Sequence, residues 1–184
     1  MRTPEGKDFI GPGVMGGKNG SYTAAYSPVT RYLYVPVIES CMQLKKAPLP
    51  VTQGVMLLGG SPGAMQADDQ SSYGHLSAID PTTGAIKWRY VDDHPLFGGV
   101  LATGEGLVFS GNLTGSAMAF DDVTGAVLWK FQTGAPVRGQ PVTYKIGGRQ
   151  YVVIPSGGVG AAVYVGAPAL AGEGSALIVF ALPR

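Results

Sequence analysis

Few side chains in this sequence are spaced to do chemistry among themselves. Asp92-Asp93-His94 puts two carboxylates and an imidazole in a row, a set able to ligate a divalent cation. Consecutive residues at a strand end point in different directions, however, and no second cluster completes a coordination shell. The triplet is expected to be a solvated turn. His75 stands at a strand start with no partner evident in the sequence, and a structural role is expected. Cys41 is the only cysteine, which excludes an internal disulfide framework, a Cys-x-x-Cys metal or redox motif and Cys-x-x-Cys-His haem attachment. It is expected to pack as a small, half-buried apolar residue. Gly158-Val-Gly-Ala-Ala-Val163 follows an apolar strand, as a dinucleotide-binding turn would. Val163 replaces the required small residue, and Ala167-Pro168 with Gly172 and Gly174 prevents the required helix. There is no Gly-x-Ser-x-Gly elbow and no Gly-x-x-x-x-Gly-Lys phosphate loop. No catalytic set is therefore assignable within this chain.

Composition narrows the class. Of 184 residues, 45% are hydrophobic and 14% charged, the balance of a chain that folds. The 29 glycines and 14 prolines separate short apolar runs, which favours many tight turns over long helices and makes the class all-β. The net charge is +1, and Lys45-Lys46 makes no basic stripe, so neither nucleic acid nor an anionic membrane surface is an expected partner. No apolar run is long enough to span a bilayer, and the first residues lack the apolar core of a signal peptide.

The strongest internal signal is a repeat. Residues Gly74 to Tyr90 and Gly115 to Phe131 both contain Ala-x-Asp-x-x-Thr-Gly-x-x-x-Trp without a gap, and Trp88 and Trp129 stand 41 residues apart. A period near 40 residues that holds several short strands is the spacing of a β-propeller blade. Asp80 to Gly84 and Asp121 to Gly125 carry hairpin chemistry: aspartate accepts from backbone N–H groups ahead of it, and glycine takes a positive φ. Each returning strand ends in a tryptophan that one blade cannot bury, so Trp88 and Trp129 are expected to staple blade to blade. Strands are expected at Thr23–Ser27, Tyr32–Val37, Gly99–Thr103, Gly106–Gly111, Ser116–Asp121, Val127–Gln132, Gln140–Ile146, Gln150–Ser156 and Ser175–Leu182. An extra strand is expected within Thr52–Gly60. The fold expected is a partial β-propeller whose blades occupy approximately residues 16–91 (with an insertion over 39–72), 97–133 and 138–182, the last lacking its outer strand.

Further segments carry a resemblance. They are Gly16-Gly-Lys-Asn19, Ala25-Tyr-Ser-Pro28, Tyr34-Val-Pro36, Phe97-Gly-Gly-Val-Leu-Ala-Thr103, Gly106-Leu-Val-Phe109, Pro141-Val-Thr-Tyr144, Gln150-Tyr-Val152 and Ser156-Gly-Gly-Val-Gly160. In this order and spacing they resemble the C-terminal blades of quinoprotein alcohol and methanol dehydrogenases, enzymes that depend on pyrroloquinoline quinone (PQQ). The likeness covers residues 9 to 182. It implies about three four-stranded antiparallel blades of an eight-bladed propeller with PQQ on its axis, oxidising a primary alcohol to an aldehyde in the periplasm. A Ca²⁺ or lanthanide ion polarises the quinone, and a cytochrome c-type partner accepts the electrons. The resemblance also implies that the catalytic aspartate, an arginine and the metal ligands lie in preceding blades of a longer chain. This stretch is then inactive alone and prone to self-association through exposed blade edges.

Carried over position by position, the resemblance places Asn19 on the asparagine that hydrogen-bonds the PQQ edge. Phe97 falls near a tryptophan that lies under the ring plane in many members. Gly160 and Ala161 fall on a Gly-Trp pair whose backbone approaches the PQQ carboxylates; the tryptophan is absent here, leaving a backbone contact. Cys41 matches one half of a structural disulfide whose other half falls at Gly11, so that bond cannot form within this chain. A non-catalytic propeller that uses the same repeats as an interaction scaffold is the alternative.

Overall fold

A computed structural model describes residues 8–12, 23–39, 41–45, 51, 53–54, 61–66, 73–158 and 174–181. All regular structure among these is β-strand, and every pairing is antiparallel. The first blade is a four-stranded sheet of β2 (Ala25–Tyr26), β3 (Leu33–Glu39), β6 (Tyr73–Ile79) and β7 (Ile86–Asp92). The second runs β8 (Leu101–Ala102), β9 (Leu107–Gly111), β10 (Ser116–Asp121) and β11 (Val127–Gln132) in chain order across the sheet. The third has three strands, β12 (Val142–Ile146), β13 (Arg149–Gly157) and β14 (Ser175–Ala181). A separate three-stranded sheet joins β1 (Asp8–Pro12), β4 (Cys41–Lys45) and β5 (Ser61–Gln66).

The strand expected over Thr52–Gly60 lies mostly outside the described residues, and its described part, Gln53-Gly54, forms a turn. The insertion instead places strands on either side, at β4 and β5. Pairing of β1 with β4 sets Gly11 opposite Met42 and Pro12 opposite Cys41, so Gly11 and Cys41 are neighbours in space as well as in the alignment.

Both repeat hairpins close in the same way. Asp80 Oδ1 accepts from the Thr82 N–H at 3.0 Å and the Thr82 hydroxyl at 2.6 Å, while Asp121 Oδ1 accepts from the Thr124 N–H at 2.7 Å and the Thr124 hydroxyl at 2.8 Å. Gly84 and Gly125 each take φ +74°, which the tight return requires and which an L side chain resists. A β-bulge follows Ala78 and Ala119, so Trp88 pairs with Ala78 and Trp129 with Ala119 in equivalent registers.

The core lies in the seams between blades. Trp88 crosses from blade one to blade two, where its indole N–H donates to the Asp122 carbonyl at 3.0 Å and its ring covers Gly125 so closely that a Cβ there would come within 2.6 Å. The Tyr34 hydroxyl donates to the same carbonyl at 3.0 Å, and Phe120 stacks with Trp88 at 6.4 Å between ring centres. Around them Leu76, Leu96, Val100, Val108 and Met118 are buried from both blades. Trp129 serves the next seam differently. It is half-buried, meets Phe180 edge-on at 4.8 Å, and lines an apolar recess of about 320 Å³ with Leu107, Phe109, Val152 and Phe180. No acceptor for its indole N–H lies among the described residues.

Within the acidic triplet, Asp92 departs from the solvated turn expected. Asp92 is buried, and both its oxygens accept from Asn112 Nδ2, at 3.1 and 3.0 Å. Its Oδ2 also accepts from the Tyr90 hydroxyl at 3.1 Å, and its Oδ1 from the His94 N–H at 3.0 Å. Asn112 Oδ1 meanwhile accepts from the Thr114 and Ser116 N–H groups, so one carboxylate ties the outer strand of blade one to the β9–β10 turn of blade two. Asp93 is exposed and His94 half-buried in a bend, as a solvated turn requires, while the desolvation of Asp92 alone is balanced by directed donors.

Two variants separate the seam from the turn. Gly84→Ala and Gly125→Ala each introduce left-handed strain of about 1–2 kcal/mol, but only Gly125→Ala also drives a methyl group into the Trp88 ring. Urea unfolding should therefore show Gly125→Ala as the more destabilising. Trp88→Ala is expected to lose about 3–5 kcal/mol, and Trp129→Ala less, because its ring is only half-buried.

Candidate functional site

The chain passes from the outer strand of one blade to the first strand of the next through two connectors, residues 93–100 and 133–141, and these are built alike. The Pro95 carbonyl accepts from the Leu113 N–H at 3.3 Å, and the Pro136 carbonyl from the Gly157 N–H at 2.7 Å. Next in each connector comes a buried aliphatic residue, Leu96 or Val137. Phe97 and Arg138 follow. Then comes a glycine pressed onto the blade: a Cβ on Gly98 would meet the Gly111 backbone at 2.9 Å, and one on Gly139 would meet Pro155 at 2.5 Å. Phe97 and Arg138 thus occupy the same place in consecutive blades.

These connectors bring the beginnings of all three blades together. The Val100 N–H donates to the Thr23 carbonyl at 3.0 Å, and Gln140 Nε2 donates to the Val100 carbonyl at 3.3 Å. Gly99 sits between Thr23 and Gln140 with no room for a Cβ, whose nearest neighbours would be 2.9 Å away. Only a glycine allows three backbone segments to approach so closely.

Of the residues assigned by resemblance, Phe97 is described. It is fully buried, and its ring has no free face in this structure. Asn19, Gly160 and Ala161 lie outside the described residues. Arg138, which the sequence reading did not single out, is partly buried, and its Nε is sealed from solvent with no hydrogen-bond partner among the described residues. Its Nη1 lies against Gly158, where a Cβ would come within 2.8 Å. Gly157 and Gly158 have φ +136° and +96°, a bare backbone that a ligand can approach. A guanidinium with one unpaired, buried nitrogen beside half-buried glycine peptide groups has the chemistry to meet a carboxylate-bearing ligand. Among the described residues, no three His, Cys, Asp or Glu side chains cluster closely enough to hold a metal ion.

A second polar cluster lies within the first blade. His75 Nε2 meets Glu39 Oε1 at 3.0 Å, its Nδ1 meets the Ser77 hydroxyl at 2.9 Å, and Arg89 Nε donates to Ser77 Oγ at 3.2 Å. A neutral imidazole satisfies every member: Nε2–H donates to Glu39 while Ser77 donates to Nδ1. Burial lowers the His75 pKa, opposed by the Glu39 contact. Ser77 is buried, so the set is a brace across β3, β6 and β7 rather than an accessible nucleophile. The partners escaped the sequence reading because sheet register, not spacing, gathers them.

The fold and its seams define the class as an all-β, partial β-propeller of four-stranded antiparallel blades, the third with three strands here. Comparison with known proteins names the family. The model of the PQQ glucose/ethanol/alcohol dehydrogenase β-propeller domain matches residues 69–152. A quinoprotein alcohol dehydrogenase, PedH of Pseudomonas putida, is 36% identical over 83% of this chain and 25% of its own length. Subunit 1 of the cytochrome c methanol dehydrogenase of Paracoccus denitrificans is 34% identical over 80% of the chain and 24% of its own. A europium-containing methanol dehydrogenase structure superposes with TM-score 0.87 at 30% identity, covering 98% of this chain and 36% of that one. In sequence and fold the chain is similar to the propellers of PQQ-dependent alcohol and methanol dehydrogenases, and it spans about a quarter of the length of the curated relatives it matches.

The hairpin carboxylates set an acid limit on the fold. Asp80 is lowered to about 2, chiefly by the Thr82 hydroxyl, and Asp121 is lowered chiefly by the Thr124 hydroxyl. A carboxylate lowered by folding stabilises the native state above its unfolded pKa, and that contribution is lost as pH falls through the folded value. Melting followed by circular dichroism should drop between about pH 4 and pH 2. A Thr82→Val/Thr124→Val double variant should be less stable at neutral pH and show a shallower drop.

Proposed function

We propose that this chain forms one wall of the PQQ site of an alcohol dehydrogenase that oxidises a primary alcohol to an aldehyde. The observation that carries the reading is the likeness to alcohol and methanol dehydrogenases over about four-fifths of the chain. The meeting of the three blade starts at Thr23, Val100 and Gln140 adds a place where such a wall can be built. The blades, over about residues 16–91, 97–133 and 138–182, take their places in an eight-bladed ring.

When bound, PQQ is the two-electron oxidant, with Ca²⁺ or a lanthanide as its metal. This chain's part is to bind and orient it. Asn19 would hydrogen-bond the edge of the tricycle, the Gly160 and Ala161 backbone would meet its carboxylates, and Phe97 would pack beneath the seat and hold the connector in place. The base and metal ligands come from preceding blades, a cytochrome c-type protein accepts the electrons, and the compartment is the periplasm.

Titrating PQQ into the full-length protein that carries these blades should give saturable binding and dye-linked alcohol oxidation dependent on Ca²⁺ or a lanthanide. Absence of binding would overturn the reading in favour of an interaction scaffold. The 184-residue chain alone should show no turnover with PQQ and Ca²⁺; robust activity would contradict the assignment of the base to other blades.

Self-association follows from the third blade. Val142, Tyr144, Ile146, Leu177 and Val179 are all exposed, and cross-strand pairing of Val142 with Val153 and of Val153 with Val179 puts an apolar face on the side away from blade two. Sedimentation of the 184-residue chain should show species heavier than the monomer, reduced by Leu177→Lys.

A further inference from the structure

We infer that Arg138 is an anion-binding residue that holds a carboxylate of the ligand seated where the blade starts converge; the ligand's identity as PQQ rests on the proposed function. The inference begins with the repeat. Forty-one residues after Phe97, at the same point of a similarly anchored connector, the chain replaces a fully buried aromatic ring with a cation. In a purely architectural repeat an apolar residue would serve at both positions.

The environment of Arg138 is that of a cation awaiting a partner. Its Nε is sealed from water without an acceptor among the described residues, and a guanidinium cannot relieve that desolvation by losing its proton. Three described carboxylates have their polar partners elsewhere: Glu39 at His75, Asp80 at Lys87, and Asp92 at Asn112 and Tyr90. Gly158 lies flush against Nη1, where any side chain would strike the guanidinium, and its left-handed φ of +96° is shared in kind by Gly157. The donor fork of arginine matches a carboxylate through two parallel hydrogen bonds, which a ligand with several carboxylates supplies and an alcohol does not.

The test measures binding in the full-length protein by equilibrium dialysis, using PQQ and its carboxyl-methylated ester. Arg138→Leu should weaken PQQ about 10- to 100-fold, Arg138→Lys should recover part of the loss, and the ester should bind wild type and Arg138→Leu equally. Equal PQQ affinity in wild type and Arg138→Leu would overturn the inference and leave the proposed function standing. Equal losses for PQQ and ester would also overturn it, since the residue would then only shape the fold. A wild type that binds no PQQ would overturn both. A readout free of substitution uses phenylglyoxal modification mapped by mass spectrometry: PQQ should protect Arg138 and leave the exposed Arg31 reactive, and unchanged labelling of Arg138 would count against the inference.

Discussion

The indole of Trp88 seated on Gly125, with its N–H on the Asp122 carbonyl, is the contact on which the rest of the structure depends. A single antiparallel blade has two faces and no interior, so it is stable only when a neighbour covers it. Trp88 supplies the largest apolar surface in the first seam. Its hydrogen bond lets the buried indole keep its polar edge satisfied, and Tyr34 shares the same acceptor. Gly125 is therefore doubly constrained, by the left-handed return of its hairpin and by the ring resting on it. One residue type meets both demands.

Closing the seam fixes the connectors, and the connectors carry the site. Asp92 and Asn112 lock the exit of blade one to blade two, and the chain then crosses to its next first strand through Pro95, Leu96, Phe97 and Gly98. Because the second connector repeats this path, whatever stands after the buried aliphatic position is delivered to the same level of each blade. The outer parts of the repeat thus serve architecture, while position 97 and its counterpart at 138 are free to differ. That division explains how one scaffold presents a ring in one blade and a guanidinium in the next.

Much of the fold was legible in the sequence because its signals are local. The Asp-x-x-Thr-Gly hairpins and the motif repeated between Trp88 and Trp129 depend on neighbouring residues, and the strands fall close to where those signals place them. Asp92 alone departed from the solvated turn, because its donors include Asn112, brought from the next blade. His75 gave no sign of Glu39, Ser77 and Arg89 for the same reason. Nothing in the sequence marked Arg138, since desolvation of its Nε is a property of the packed connector and not of the residues beside it.

The sequence by itself determined the class of blade, its period, its hairpins and the family it resembles, since each is carried by residues within one repeat or by an ordered series of short segments. Only the tertiary structure decided which carbonyl receives the Trp88 N–H, that Asp92 is buried, that Phe97 is enclosed and that Arg138 holds an unpaired buried nitrogen. Those outcomes are set by register and by blade-on-blade contact. They join residues tens of positions apart, and no local pattern encodes how far water is excluded between them.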